Sequence, residues 1–342
     1  MGIFGGQKDF FGLDIGSSSV RLVKLKHSSG RYNLVSYGGA SIPIGLSQSD
    51  SSLDIKQLAE IVKRLMSDCK ESTKNVVVSL PGSAVFTTVV KMPQMSPSEM
   101  EKAVFWQAEQ NIPLKIDEVR INWQLISPAL GDSKEMAVLI VAAPNERVER
   151  LVKIAETAGL SVLSIETTPI ALSRSLGATK GAKTMVVDIG ALTTEIAIVA
   201  DEVLFHSRSL PQAGYAFTRA ISQNLGLDLN QAEQFKRKFG LTQEKLEGEI
   251  FKTLQPLLNS IVEEIKRSMK FYQEQFGGSV ERIILSGGSA RLPELPSYLS
   301  TVLEMDVQIG TPWANISYPP SVTQNLSDTY ASYSTAVGLA KR

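Results

Sequence analysis

The chain contains one tripeptide twice, Asp14-Ile15-Gly16 and Asp188-Ile189-Gly190, in matching surroundings. The first copy lies in FFGLDIGSSSVRLVKL and the second in TMVVDIGALTTEIAIV. In both, apolar residues lead into a turn, hydroxyl side chains line it, and apolar alternation resumes beyond it. A strand, a tight turn and a second strand account for each stretch. A further turn follows, His27-Ser28-Ser29-Gly30 or Ala200-Asp201-Glu202, and then a third strand pattern, RYNLVSYGGASI or VLFHSRSL. Two three-strand meanders that open on the same phrase predict a duplicated domain core.

The turn has a chemistry of its own. Glycine lets backbone approach a phosphate, and successive N–H groups beside serine or threonine hydroxyls form a concavity for anions. Gly16, Ser17, Ser18 and Ser19 supply such groups in the first half, and Gly190, Ala191, Thr193 and Thr194 in the second. Asp14 and Asp188 add one carboxylate each, which suits Mg²⁺, an ion that takes one or two carboxylates alongside phosphate oxygens and water. The competing reading is a pair of ordinary hairpin turns, since Asp and Gly favour turns on conformational grounds alone. Recurrence in matching contexts favours the ligand. A third element, ERIILSGGSARLPELPSYLS, runs a strand pattern into Ser286-Gly287-Gly288-Ser289 and then a helix expected to begin near Leu292 or Pro293. Glycines at such a crossing permit close approach of a ligand.

In this order the three elements resemble the phosphate-1, phosphate-2 and adenosine motifs of the superfamily of actin, sugar kinases and chaperone ATPases. Within it the chain is most similar to PilM, the actin-like family of type IV pilus assembly. The resemblance implies an α/β, actin-like ATPase fold: two duplicated domains, residues 1–180 and 181–342, around a cleft for ATP and Mg²⁺. It implies that Asp14 and Asp188 hold the metal through water, that Gly287, Gly288 and Ser289 lie near the adenosine, and that Gly214 faces the nucleotide from a turn. Glu233 and Lys236 match an Ala-Glu-x-x-Lys pair that contacts the nucleoside, with a surface ion pair as the alternative reading. Lys24 joins the nucleotide-binding set. No residue is assigned as catalytic. In ATP-hydrolysing relatives an acidic residue directly precedes the proline of the first connecting helix. Here Thr168 precedes Pro169 and Glu166 lies two positions further back, which implies an ATP binder with at most slow turnover.

Between the motifs, Ile55, Leu58, Ile61, Val62, Leu65 and Met66 recur at helical spacing, and NVVVSLP returns as a strand. An insertion over about 86–157 follows. It comprises a strand FTTVVKMPQM, a helix launched by the capping box Ser96-Pro97-Ser98-Glu99, two strands around a Gly131-Asp132 turn, and a helix closed by Gly159. FtsA and PilM carry their 1C subdomain at about this position. The resemblance implies that the groove between it and the first core domain holds the N-terminal cytoplasmic tail of a bitopic inner-membrane protein, PilN. In the second half, Asn230-Gln231-Ala232-Glu233 looks cap-like. A long amphipathic helix after Glu244 is expected to kink or break at Pro256. The last stretch, YASYSTAVGLAKR, about 329–342, reads as one helix returning to the first domain, its Ala336 and Gly338 allowing close approach.

Composition excludes several functions. The 35 basic and 35 acidic residues cancel, so no global attraction to nucleic acid or anionic lipid follows. The single cysteine, Cys69, cannot close an internal disulfide, and His27, expected in a turn, and His206, expected in a strand, lack companion ligands at metal spacing. No stretch reaches the roughly 20 apolar residues of a spanning helix. The expected location is the cytoplasm, peripheral to the inner membrane through a protein partner. An FtsA-like division protein, a type II secretion component of the GspL kind and a small-molecule kinase remain as alternatives. The kinase lacks a candidate base over an acceptor hydroxyl, and a chain ending at Arg342 lacks the terminal amphipathic helix expected of the division protein.

Overall fold

The computed structural model describes residues 9–127, 135–177, 181–245 and 248–342. The Gly131-Asp132 turn lies outside them. The two meanders form as their alternation dictates. In the first half, β1 (Phe11–Ile15), β2 (Ser19–Ser28) and β3 (Arg31–Ser41) pair antiparallel in sequence, and β4 (Asn75–Leu80) joins β1 in parallel. In the second half, β9 (Thr184–Ile189), β10 (Thr194–Ala200) and β11 (Val203–Leu210) repeat the meander, and β12 (Arg282–Ser286) joins β9 in parallel. With β8 (Ser161–Thr167), β13 (Val307–Ile309) and β14 (Ile316–Ser317) the sheet orders are β14-β3-β2-β1-β4-β8 and β11-β10-β9-β12-β13. Apart from the edge strand β14 the two orders correspond strand for strand, which is the duplication that the repeated phrase predicts.

Helices cover these sheets with apolar stripes at helical spacing. In the first half, α1 (Ser52–Asp68) buries Ile55, Leu58, Val62 and Leu65, and α3 (Asn145–Thr157) buries Val148, Leu151 and Ile154 against the same core. In the second, α5 (Gly214–Leu225), α6 (Leu229–Phe239), α7 (Glu249–Phe276) and α8 (Leu295–Leu303) surround a core containing Met185, Ile196, Phe217, Leu254 and Leu285. Burying these side chains contributes about 1.5–3 kcal/mol each.

The insertion forms a third sheet, β5 (Phe86–Pro93), β6 (Val119–Ser127) and β7 (Glu135–Pro144), ordered β5-β7-β6, with α2 (Pro97–Asn111) on one face. The Ser96 and Glu99 capping box forms as expected. Alternation along β7 divides its side chains. Met136, Val138 and Ile140 meet α2, whereas Ala137 and Leu139 meet Leu172 and Leu176 of α4 (Thr168–Leu176) and Val186, Ala197 and Leu204 of the second sheet. The inserted sheet is therefore buried on both faces.

The chain then crosses back. After α9 (Thr323–Thr329), a 3-10 turn over Tyr330–Tyr333 leads into α10 (Ser334–Ala340), so the single helix expected for the last stretch is two pieces. At Gly338, α10 touches α4 so closely that a Cβ would overlap the Ala171 carbonyl. Arg174 donates to the Gly338 carbonyl at 3.0 Å and pairs with Glu166, and Arg342 pairs with Glu166 at 3.0 Å.

Four local expectations are corrected. Of the kink or break expected at Pro256, α7 shows no break and runs as one helix from Glu249 to Phe276. The helix after the third motif starts at Leu295 rather than near Leu292 or Pro293, because Pro293 and the left-handed backbone of Glu294 (φ 61°) hold a turn open first. The α6 cap is Asp228, whose carboxylate accepts from the Gln231 N–H at 2.9 Å, so Asn230 lies inside the helix. His27 belongs to strand β2, and the turn is made by Ser29 and Gly30, both at positive φ.

Candidate functional site

The two Asp-Ile-Gly turns close by the same hydrogen bond. Gly16 N–H donates to the Ser19 carbonyl at 2.9 Å and Gly190 N–H to the Thr193 carbonyl at 3.0 Å. Both turns open on one cleft of about 1500 Å³ between the two sheets. Asp14, Gly16, Ser17, Ser18 and Ser19 line it from the first half. Asp188, Gly190, Ala191 and Thr193 line it from the second.

The third motif packs directly on the second turn. Ser289 N–H donates to the Ile189 carbonyl at 3.0 Å, and Gly287 takes φ 87° with the Ile189 carbonyl oxygen 2.5 Å from where a Cβ would stand. Only glycine meets both demands. Gly287, Gly288 and Ser289 all line the cleft, and around Gly288 a Cβ would meet open space. Helix α5 begins against the same turn, Gly214 N–H donating to the Gly190 carbonyl at 3.1 Å and Tyr215 N–H to Ala191 at 2.8 Å.

Glu233 and Lys236 line the cleft from α6 and are more than a surface ion pair. Lys236 is 6% exposed; its ammonium pairs with Glu233 at 2.7 Å and donates to the Gly214 carbonyl at 2.8 Å and to Thr218 Oγ1 at 3.0 Å. Burial lowers the Lys236 pKa, against the pull of Glu233. The pair fixes the wall that carries Gly214.

Two expected residues sit elsewhere. Lys24 donates to Asp9 at 2.7 Å, Glu71 at 3.0 Å and Thr73 at 2.7 Å and does not line the cleft. Thr194 is fully buried and its hydroxyl donates to the Gln212 carbonyl at 2.6 Å, tying the second turn to the loop before α5. On that strand the cation that does line the cleft is Arg21, directly opposite Asp14 in the β1–β2 ladder. Arg21 and Lys24 stand three positions apart on one strand and so point to opposite faces. The period of two was the signal that distinguishes them.

Asp14 and Asp188 are half-buried, desolvated carboxylates with few partners. Burial pushes Asp14 up to about 6; Arg21 opposes this, the Asp188 charge adds to it, and a weak hydrogen bond from Ser79 at 3.5 Å pulls back. Burial likewise raises Asp188, against a hydrogen bond from Ser286 and the Arg21 charge. Glu195 is another cleft residue that the motifs alone did not indicate, although a lone charge in the apolar run TTEIAIV is a visible signal. Burial pushes it up to about 7, opposed first by Ser209 and also by the Ser83 and Gly82 N–H groups, and reinforced by Asp188. Among the described residues no cluster of three or more His, Cys, Asp or Glu forms a metal cage. Two desolvated carboxylates beside paired turns instead fit a magnesium ion that takes most of its ligands from phosphate and water. Glu166, held by Arg174 and Arg342, does not line the cleft; Thr168 does.

Comparison with known proteins places this arrangement. A solved structure described as the PilM-PilN type IV pilus biogenesis complex superposes with a TM-score of 0.86 at 28% identity, covering 98% of this chain and 99% of that one. MreB 5 of Spiroplasma citri, solved bound to AMPPNP, shares the fold at TM-score 0.56 and 15% identity, covering 97% and 95%. Among curated sequences, the cell division protein FtsA of Escherichia coli K12 is 25% identical, covering 96% of this chain and 88% of its own. The family model for the type IV pilus assembly protein PilM matches residues 12–342. With its actin-like duplicated fold and end-to-end match, the chain belongs to the PilM family of type IV pilus assembly proteins.

Proposed function

We propose that the chain binds ATP with Mg²⁺ between the two Asp-Ile-Gly turns and acts, on the cytoplasmic face of the inner membrane, as a pilus-assembly scaffold for the tail of a PilN-like bitopic protein. The observation that carries the reading is the pair of identically closed turns facing one cleft, each with a carboxylate that lines it. Turn N–H groups of both halves would orient the phosphates, Arg21 would offset their charge, and Glu233 with Lys236 would hold the nucleoside wall. Bound magnesium supplies charge neutralisation at the phosphate oxygens and keeps Asp14 and Asp188 ionised. Residues 1–180, with the 86–157 insertion, would form one lobe and 181–342 the other, with 329–342 crossing between them.

The cleft supports the partner reading too. It extends past Pro81 and Ala84 to Pro144 and Arg147, where the inserted sheet leaves and rejoins the first half. A short extended peptide could seat apolar anchors there. Among the described residues no helix is long and apolar enough to cross a membrane, so attachment would come through such a partner.

With Thr168 at the head of α4 in place of a carboxylate, turnover should fall far below the roughly 10 s⁻¹ typical of enzymes. Equilibrium dialysis with Mg-ATP should retain nucleotide on the chain; none retained would remove the ATP half of the reading. A peptide carrying the N-terminal tail of the companion membrane protein should be captured by the wild type and poorly by Ala84→Arg. Equal capture by both would put the tail elsewhere.

A further inference from the structure

Glu195 combines three unusual properties. It is 2% exposed, it stands directly opposite Asp188 in the β9–β10 ladder, and its carboxylate lies against the Gly82–Ser83 backbone, whose N–H groups hold its pKa down. Oε1 accepts from the Ser209 hydroxyl at 3.0 Å. Oε2 presses on Gly82, where any Cβ would overlap it. Gly82 opens the short 3-10 turn Gly82–Ala84, the link by which the chain passes from β4 into β5 and the inserted sheet.

A side chain on the second half's phosphate strand thus bears on the entrance to the insertion. A second, apolar contact runs beside it. Ile126, Ala137 and Leu139 of the inserted sheet share one buried core with Val186, Ala197, Val199 and Leu204 of the second sheet. Packed interiors transmit a displacement rather than absorb it. The insertion is seated on the half that carries Asp188, although its chain connections are to the other.

We propose that Glu195 and the Gly82–Ala84 turn form the contact through which occupancy of the cleft is passed to the inserted sheet. The inference rests on the nucleotide reading above. Directly opposed residues of an antiparallel pair lie about 5 Å apart on one face, so a ligand at Asp188 acts on Glu195 at short range. It shifts the balance between the carboxylate resting on the turn and the carboxylate drawn toward the cleft. Such a difference in interaction is what coupling between two sites requires.

Hydrogen exchange on the full chain, with and without Mg-AMPPNP, tests this. In the wild type, nucleotide should slow exchange at residues 190–194 and also at 82–84 and along Phe86–Pro93. Two variants disturb Glu195 without altering a residue that lines the cleft: Gly82→Ala, whose methyl displaces the carboxylate, and Ser209→Ala, which frees Oε1. In both, slowing at 190–194 should persist while slowing at 82–93 is lost. Slowing at 82–93 retained in both variants, or absent from the wild type while 190–194 is protected, overturns the inference. No protection at 190–194 in the wild type would instead overturn the nucleotide reading, and this inference with it.

Discussion

At the scale of single residues, burial sets the behaviour of the titratable groups. His206 on β11 is 7% exposed, its ring 4.6 Å from that of Phe271, and its Nε2 makes no hydrogen bond. Burial pushes its pKa down to about 4, and Arg208 adds to the shift. In the unfolded chain it would titrate near 6.5. Between those values the unfolded state takes up a proton that the fold refuses. Its contribution is therefore complete above pH 6.5 and lost as pH falls toward 4, by roughly 2 kcal/mol at pH 5. Thermal melts at pH 7 and pH 5 should show a larger drop for the wild type than for His206→Gln; equal drops would contradict the burial argument. Asp14 and Glu195 titrate alike in both proteins and cancel. That Arg21 rather than Lys24 lines the cleft was legible in principle, since strand alternation puts the two on opposite faces. Glu195 was harder to read, because its environment comes from the distant Gly82 turn and Ser209 rather than from its own segment.

At the scale of elements, the meanders, the capped α2 and the inserted strands follow from periodicity and capping chemistry that local sequence carries. The misjudged boundaries have local causes that compete with propensity. Glu294 adopts a left-handed backbone that a charged residue seldom takes, and so delays α8. Pro256 illustrates the opposite case, in which tertiary packing overrides a breaker. Buried Leu254, Leu258, Ile261 and Ile265 hold α7 on the second core through the proline. The cost of the missing N–H and the crowding at the preceding turn remains. Pro256 is exposed, so Pro256→Ala removes little packing. It should raise stability by about 1–3 kcal/mol, seen as a higher melting temperature. An unchanged or lower melting temperature would mean that the proline relieves a strain elsewhere in the helix.

At the scale of the whole molecule, the duplicated sheets, the cleft between them and the crossing of α10 over α4 at Gly338 form one arrangement. The repeated tripeptide made the duplication and the cleft turns readable. The seating of the inserted sheet on the second half was not readable, because Ala137 and Leu139 look the same in sequence whether they face solvent, a helix or another sheet. A clamp whose two halves each bring one turn to a single ligand is the central claim. Calorimetric titration of Mg-ATP into the wild type, Asp188→Ala and Gly288→Asp tests it most directly. Asp188 is the second turn's carboxylate, and Gly288 leaves open space that an aspartate side chain would fill with negative charge. Binding to the wild type with affinity at least about tenfold weaker in each variant, a difference of about 1.4 kcal/mol, is the predicted result; unchanged affinity in both variants would contradict the placement of the nucleotide in this cleft.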